Sequence, residues 1–287
     1  GAEVIKVEEI ESGDDIRKWG PPFVKKENSN DSAYYTYCNR NKKSIGIDFS
    51  RKKGRKILHK LIRKADILIE NFPTGKLKRY KLDYSSIKKI NQKIIYCSIT
   101  GFGQTGPYKN KKGYDFIIQG MSGLMSTTGN KNSHSKEGSI PLKSGIPVSD
   151  LFTSNIATSS ILAALYLRKK TKKSYHLDCS LLDCQISMLA NHGTNWLVGK
   201  KNPSIIGNSH SNVTPYDVYD VKDGKVIIAC GNEKQFYSLL KAINKPEIIN
   251  DKRYNSNEKR LSNRSSFNVL LENNLKSFSK KEIIKRL

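Results

Sequence analysis

Asp150 is the residue around which chemistry can be built. It sits in Ile146-Pro147-Val148-Ser149-Asp150-Leu151, where an apolar run meets a helix start. A carboxylate in that position has two readings. As the N-cap of a helix beginning near Leu151 it accepts backbone N–H bonds, and Asp is a preferred cap. As a nucleophile beside a ligand cleft it uses the same helix end differently. The positive helix terminus favours its charged form, and the free amides can receive a developing oxyanion. The second informative stretch, Gly113-Tyr114-Asp115-Phe116, lies upstream. Residue chemistry alone leaves the choice between cap and nucleophile open.

Other candidates carry plainer alternatives. Asn71-Phe72-Pro73-Thr74-Gly75 follows the apolar run Ile67–Glu70. In open parallel sheets the carboxyl ends of strands face the ligand crevice. An amide and an aromatic face there suit an adenine or an amide-bearing chain, and a simple β-turn fits equally well. Arg79 can meet a phosphate or remain a solvated side chain. Gly101-Phe102-Gly103-Gln104-Thr105-Gly106 matches the dinucleotide spacing, but Pro107-Tyr108-Lys109 follows where a helix would have to open, so a plain or ligand-covering loop is expected. His59, His134, His176, His192 and His210 never reach ligand spacing on a helix, and no Cys/His cluster forms, so no metal site is expected. The five cysteines include no C-x-x-C pair, which predicts reduced thiols in a reducing compartment.

The elements that must position these residues alternate. Val4–Val7 and Ser44–Asp48 read as strands. Ile57, Leu58, Leu61, Ile62 and Ala65 define one helical face, and 66–70 is a strand-length core. A short helix at 84–90, a strand at 93–99, and helices over roughly 151–169 and 178–198 complete the first part. Strand, helix, strand in succession predicts an α/β class with a parallel sheet and crossover helices. The character changes after about residue 200, which puts a domain boundary near 195–210. Asp223-Gly224 there marks a hairpin between alternating runs.

No run approaches the roughly 18 uncharged apolar residues of a membrane helix. The chain carries 51 Lys and Arg against 26 Asp and Glu, a net charge of +25. Such an excess suits a nucleic acid or another polyanion. The lysines are spread over helix faces and loops rather than gathered in one arm, which favours a solvated surface attractive to small anions over a nucleic-acid interface.

Several segments, in this order, resemble the class III CoA-transferases, the family of formyl-CoA transferase and the carnitine CoA-transferases. They are 1–8, Gly13-Asp14-Asp15 with 17–22, 39–44, Ile69-Glu70-Asn71-Phe72, 98–108, Gly113-Tyr114-Asp115-Phe116 and Asp150. Further on, Gly207-Asn208, Pro215-Tyr216 and Gly231-Asn232 with Gln235-Phe236 look most like the succinyl-CoA:glutarate branch. The resemblance implies CoA transfer from an acyl-CoA to a free carboxylic acid, with a dicarboxylate such as glutarate the expected acceptor and succinyl-CoA the expected donor. It implies Asp150 as nucleophile, with Ile47, Asn71, Phe72, Arg79 and Tyr114 contacting coenzyme A. It further implies a Rossmann-like large domain over residues 1–198, a linker and smaller α+β domain over 199–287, coenzyme A as substrate rather than bound cofactor, and an interlocked homodimer in the full-length protein. The expected compartment is cytoplasmic, or the mitochondrial matrix in a eukaryote. Relatives begin with a further strand and helix and extend beyond Leu287, so the chain is expected to lack both ends. Related racemases carry a catalytic His where Tyr114 stands, which sets acyl-CoA racemisation or epimerisation as the same-fold alternative; a basic nucleic-acid-binding protein is the alternative of another class. Formyl-CoA transferases carry a run of glycines over the site, and 207–212 here has one Gly.

Overall fold

The computed structural model describes residues 1–26, 29–130 and 139–287. Its strands are β1 Ile5–Glu8, β2 Phe23–Lys26, β3 Ser29–Ser32, β4 Lys43–Gly46, β5 Ile67–Glu70, β6 Ile95–Thr100, β7 Gly129–Asn130, β8 Ile140–Pro141, β9 Tyr175–Ser180, β10 Tyr216–Val221 and β11 Gly224–Ala229. Its α-helices are α1 Ala33–Asn39, α2 Lys52–Lys64, α3 Tyr84–Ile90, α4 Asp115–Met121, α5 Val148–Thr171, α6 Leu181–Ser187, α7 Asn191–Gly199, α8 Glu233–Ala242, α9 Asn257–Ser262, α10 Arg264–Leu275 and α11 Lys280–Arg286. Contacts divide the chain into two compact units, Gly1–Asp115 with Ser149–Cys184, and Phe116–Val148 with Gln185–Leu287.

The first unit is built on parallel pairing. β1 pairs with β4, and β5, β6 and β9 form a three-stranded parallel sheet with β6 in the middle. Successive residues of a strand point to opposite faces, and the packing follows that rule. Ile95 and Cys97 of β6, with Cys179 of β9, pack against Ala157, Ile161 and Ala164 of α5. Ile94 and Tyr96 pack on the other face with Ile62, Leu77, Leu82 and Ile87. On α5 the buried residues are Ser149, Thr153, Ala157, Ile161 and Ala164, mostly one helical turn apart and mostly small, so the helix backbone lies close to the sheet.

The helices at 52–64 and 84–90 agree with the apolar spacing. β9 departs from it. The sequence predicts a helix from about 178, whereas residues 175–180 form a strand and the helical stretch is split into α6 and α7. β9 exists because β6 offers it a pairing edge from Ile95↔Tyr175 to Thr100↔Ser180, about 80 positions away in sequence. Local pattern carries no trace of such a partner.

The second unit has its own core. Tyr219, Ile228, Phe236, Leu239, Leu240, Phe267, Leu271 and Ile283 are buried together across the β10–β11 hairpin and α8, α10 and α11. The hairpin that the Asp-Gly signal predicts forms, but it turns one residue earlier, at Lys222-Asp223, with Gly224 already paired opposite Val221. Among the described residues no helix is long and apolar enough to cross a membrane.

Ile95 is fully buried where the middle strand meets α5. Ile95→Ala leaves a cavity there and is expected to cost about 2–5 kcal/mol, read as a lower midpoint in urea unfolding.

Candidate active site

Helix α5 starts at Val148, so Asp150 falls inside its first turn and is not the cap. The capping role belongs to Asp115. Its Oδ1 accepts the backbone N–H of Ser149 at 2.8 Å and of Asp150 at 3.3 Å. These are amides that a helix start leaves without intrahelical partners. Asp115 itself opens α4. The Gly113-Tyr114-Asp115-Phe116 stretch therefore supplies the cap across a separation of 35 residues.

This arrangement decides the chemistry of Asp150. A helix N-terminus normally stabilises a carboxylate. Here Asp115 occupies the amides, and its negative charge faces the second carboxyl. Burial of the carboxyl, and then the Asp115 charge, push Asp150 up to about 6 from its usual range. The residue as a whole remains exposed, which leaves it open to a substrate. Tyr34 and Cys38 on α1 both feel the Asp150 charge, and burial raises both. Tyr114, the neighbour of Asp115, is 66% exposed.

A second cluster gathers round the turn after β5. Asn71 is exposed and Phe72 half-buried. The Phe72 ring meets Phe49 edge-on at 5.6 Å, and Phe49 meets Tyr80 at 5.3 Å. Lys76 lies over Phe72 at 5.0 Å, and the Arg79 guanidinium over Tyr80 at 4.6 Å. Ile47 is 5% exposed and donates its N–H to the Glu8 carbonyl. Of the residues singled out from sequence, Asn71, Phe72 and Arg79 thus lie at one cluster, Tyr114 adjoins Asp115 in the chain, and Asp150 donates its N–H to Asp115.

Loops tie the two together within the first unit. Thr74 Oγ1 donates to the Gly103 carbonyl at 3.2 Å, joining the turn to the glycine-bearing loop. That loop does not open a helix; Gly103 and Gly106 have φ of 80° and 84°, and α4 begins only at Asp115. At Gly101 a Cβ would come within 2.6 Å of Gly113 Cα, so only glycine lets this loop pass the segment leading to Asp115.

Below the turn lies a cavity of about 310 Å³, lined by Glu70, Phe72, Thr74, Tyr84, Ser98 and His176 among others. It opens on the face of β6 that carries Tyr96 and Ser98, opposite the face covered by α5. Glu70 is raised chiefly by burial, and His176 is lowered chiefly by burial. Sequence reasoning left Asp115 and Glu70 without roles. Each had a signal: an acidic residue opening a helix, and a carboxylate ending an apolar strand.

Among the described residues no group of three or more His, Cys, Asp or Glu side chains is placed to hold a metal ion.

Known proteins bear on this geometry. The model of CoA-transferase family III matches residues 1–287. A succinate–glutarate CoA-transferase of Agrobacterium fabrum is 41% identical over 286 residues, 99% of this chain and 70% of that protein. A succinyl-CoA:glutarate CoA-transferase of Mus musculus is 42% identical over 271 residues, 94% of this chain and 60% of that protein. This chain thus spans well short of the whole of either relative. The crystal structure of a CAIB/BAIF family protein from Brucella suis superposes with a TM-score of 0.81 at 44% identity, covering 99% of this chain and 74% of that one.

Removing the Asp115 charge tests the electrostatic arrangement. Asp115→Asn keeps an oxygen for the α5 amides but loses the repulsion, so the Asp150 pKa should fall from about 6. It should stay above the usual Asp range because burial is the larger cause. Carboxyl-carbon NMR titration reads the shift, and an unchanged value would refute the pairing.

Proposed function

The chain belongs to CoA-transferase family III, and from that premise we propose that it moves coenzyme A from an acyl-CoA to a free carboxylic acid, with Asp150 as nucleophile. The observation that carries the reading is the division of labour between two carboxylates: Asp115 takes the α5 amides, and Asp150 is left exposed with its pKa near 6. Above that pH Asp150 is ionised yet poorly stabilised, which suits a carboxylate that must attack carbon.

The steps follow from that group alone. The Asp150 carboxylate attacks the thioester carbonyl, the C–S bond breaks, and a mixed anhydride forms with release of CoA thiolate. The thiolate attacks the Asp150 carbonyl, the donor acid leaves, and an aspartyl-CoA thioester remains. The acceptor carboxylate attacks that thioester and regenerates thiolate and a second mixed anhydride. The thiolate then takes the acceptor acyl group and frees Asp150. No proton is gained or lost, and the thioester's energy is conserved. Such a sequence needs no second acid or base, in keeping with Tyr114 standing where racemases carry His.

Succinyl-CoA and glutarate are the proposed donor and acceptor, by likeness to the relatives named for that pair. Asn71, Phe72 and Arg79 would hold coenzyme A, with Ile47 on the adenine side and Tyr114 nearer the reacting carbonyl. The full-length protein would act as an interlocked homodimer.

Two outcomes check this. Hydroxylamine added with succinyl-CoA should convert Asp150 to a hydroxamate detectable by peptide mass spectrometry, and Asp150→Asn should lower kcat by about a thousandfold or more. For the wild type, kcat/KM should rise about tenfold per pH unit below 6 and level off above it. Full transfer by Asp150→Asn would sink the mechanism.

A further inference from the structure

The carboxyl ends of β5, β6 and β9 carry a row of polar side chains on the face away from Asp150. The parallel register places Glu70 beside Ser98, and Ser98 beside Asp178. Ser98, which is 1% exposed, stands between two groups. Its Oγ lies 2.9 Å from His176 Nε2, and its hydroxyl favours the charged form of the Glu70 carboxyl. With His176 Nε2–H donating to Ser98, the Ser98 O–H is left to turn toward Glu70. Glu70 Oε2 then accepts the backbone N–H of Phe72 at 2.9 Å. Tyr84 stacks on His176 at 4.9 Å and holds the outer end of the chain of bonds. Asp178 Oδ2 accepts the N–H of Gln104, fixing the neighbouring loop from the same row.

Folding alone does not call for a carboxylate here. The turn that Glu70 grips is exposed at Asn71 and Pro73, so water is at hand for its amides. Half-burying an ionisable carboxyl is unfavourable unless it is paired or hydrogen-bonded, and burial indeed raises Glu70. The cavity lies beside it, and the other ties of the turn run through side chains, Thr74 Oγ1 to the Gly103 carbonyl and the Phe72 ring to Phe49. The Glu70 carboxylate is the side chain that fixes the Phe72 N–H, so the backbone over the cavity can shift when that bond is lost. The two residues it carries are Asn71 and Phe72.

We propose that Glu70 is a positioning residue for coenzyme A: held by Ser98 and His176, it sets the backbone of the Asn71–Phe72 turn so that the turn meets the coenzyme. This rests on the CoA-transfer reading above. Glu70 touches neither substrate nor Asp150 and acts only through the turn. Its loss should therefore appear in coenzyme binding and leave the chemical step nearly intact.

The test uses the full-length protein, with CoA binding by calorimetry and transfer kinetics on succinyl-CoA and glutarate. Glu70→Ala should raise Kd for CoA and KM for succinyl-CoA by about tenfold or more, with kcat within about threefold. Glu70→Gln keeps an oxygen acceptor for the Phe72 N–H and should recover most of the loss. Ser98→Ala, which leaves Glu70 in place but unsupported, should fall between them and stands in if Glu70→Ala fails to fold in a thermal melt. Wild-type Kd and KM in Glu70→Ala or, where that variant does not fold, in Ser98→Ala would overturn the proposal, as would a fall in kcat at constant KM. If the wild type binds no CoA, the transfer reading itself has failed; if it binds CoA and the variants bind as tightly, only the positioning role has.

Discussion

Two carboxylates lie within reach of one set of helix amides, and only one of them is bonded to those amides. The N-terminus of α5 offers the N–H groups of Ser149 and Asp150, and Asp115 accepts both. A carboxylate satisfied in this way gains from the helix end. The second then meets the burial penalty without the compensating bonds, and meets the first one's charge as well. If Asp150 capped its own helix, its carboxyl would be stabilised and blunted as a nucleophile. The packing of α5 keeps the arrangement in place. Ser149 and Thr153 are fully buried, and the small residues at 157 and 164 seat the helix on β6 and β9.

β6 connects this site to the Asn71–Phe72 turn. Its alternating side chains serve opposite faces: Ile95 and Cys97 meet α5, while Tyr96 and Ser98 face the cavity under the turn. The register that seats α5 is therefore the register that brings Ser98 beside Glu70. A slip of one residue would exchange the two faces and lose both at once.

Much of this was legible in the sequence wherever the cause is local. Apolar spacing located α2 and α3, and Asp223-Gly224 located the hairpin, because periodicity and turn chemistry act within a few residues. β9 was not legible, because its strand state depends on an edge supplied by β6. The cap of α5 stayed open for the same reason. An Asp at an apparent helix start satisfies a local rule, but the competing carboxylate comes from residue 115 and arrives only with the fold. Glu70 was visible as the acidic end of an apolar strand, yet its place beside Ser98 needed the register.

The overall charge of +25 and the local charge of the site have opposite signs. The influences that raise Asp150 are burial and Asp115, and no lysine or arginine among the described residues pulls it back down. Cations instead stand over rings on the loops that follow β5 and β6: Lys76 on Phe72, Arg79 on Tyr80 and Lys111 on Tyr108. Salt screens charges over about 8 Å at physiological ionic strength, so exposed cations can draw in a polyanion without stabilising a crowded carboxylate beyond that range. A lysine in contact with Asp150 would lower its pKa and hold it as an ion pair. Keeping the positive charge on the outer loops preserves both attraction for an anionic substrate and the raised pKa of Asp150, the proposed nucleophile.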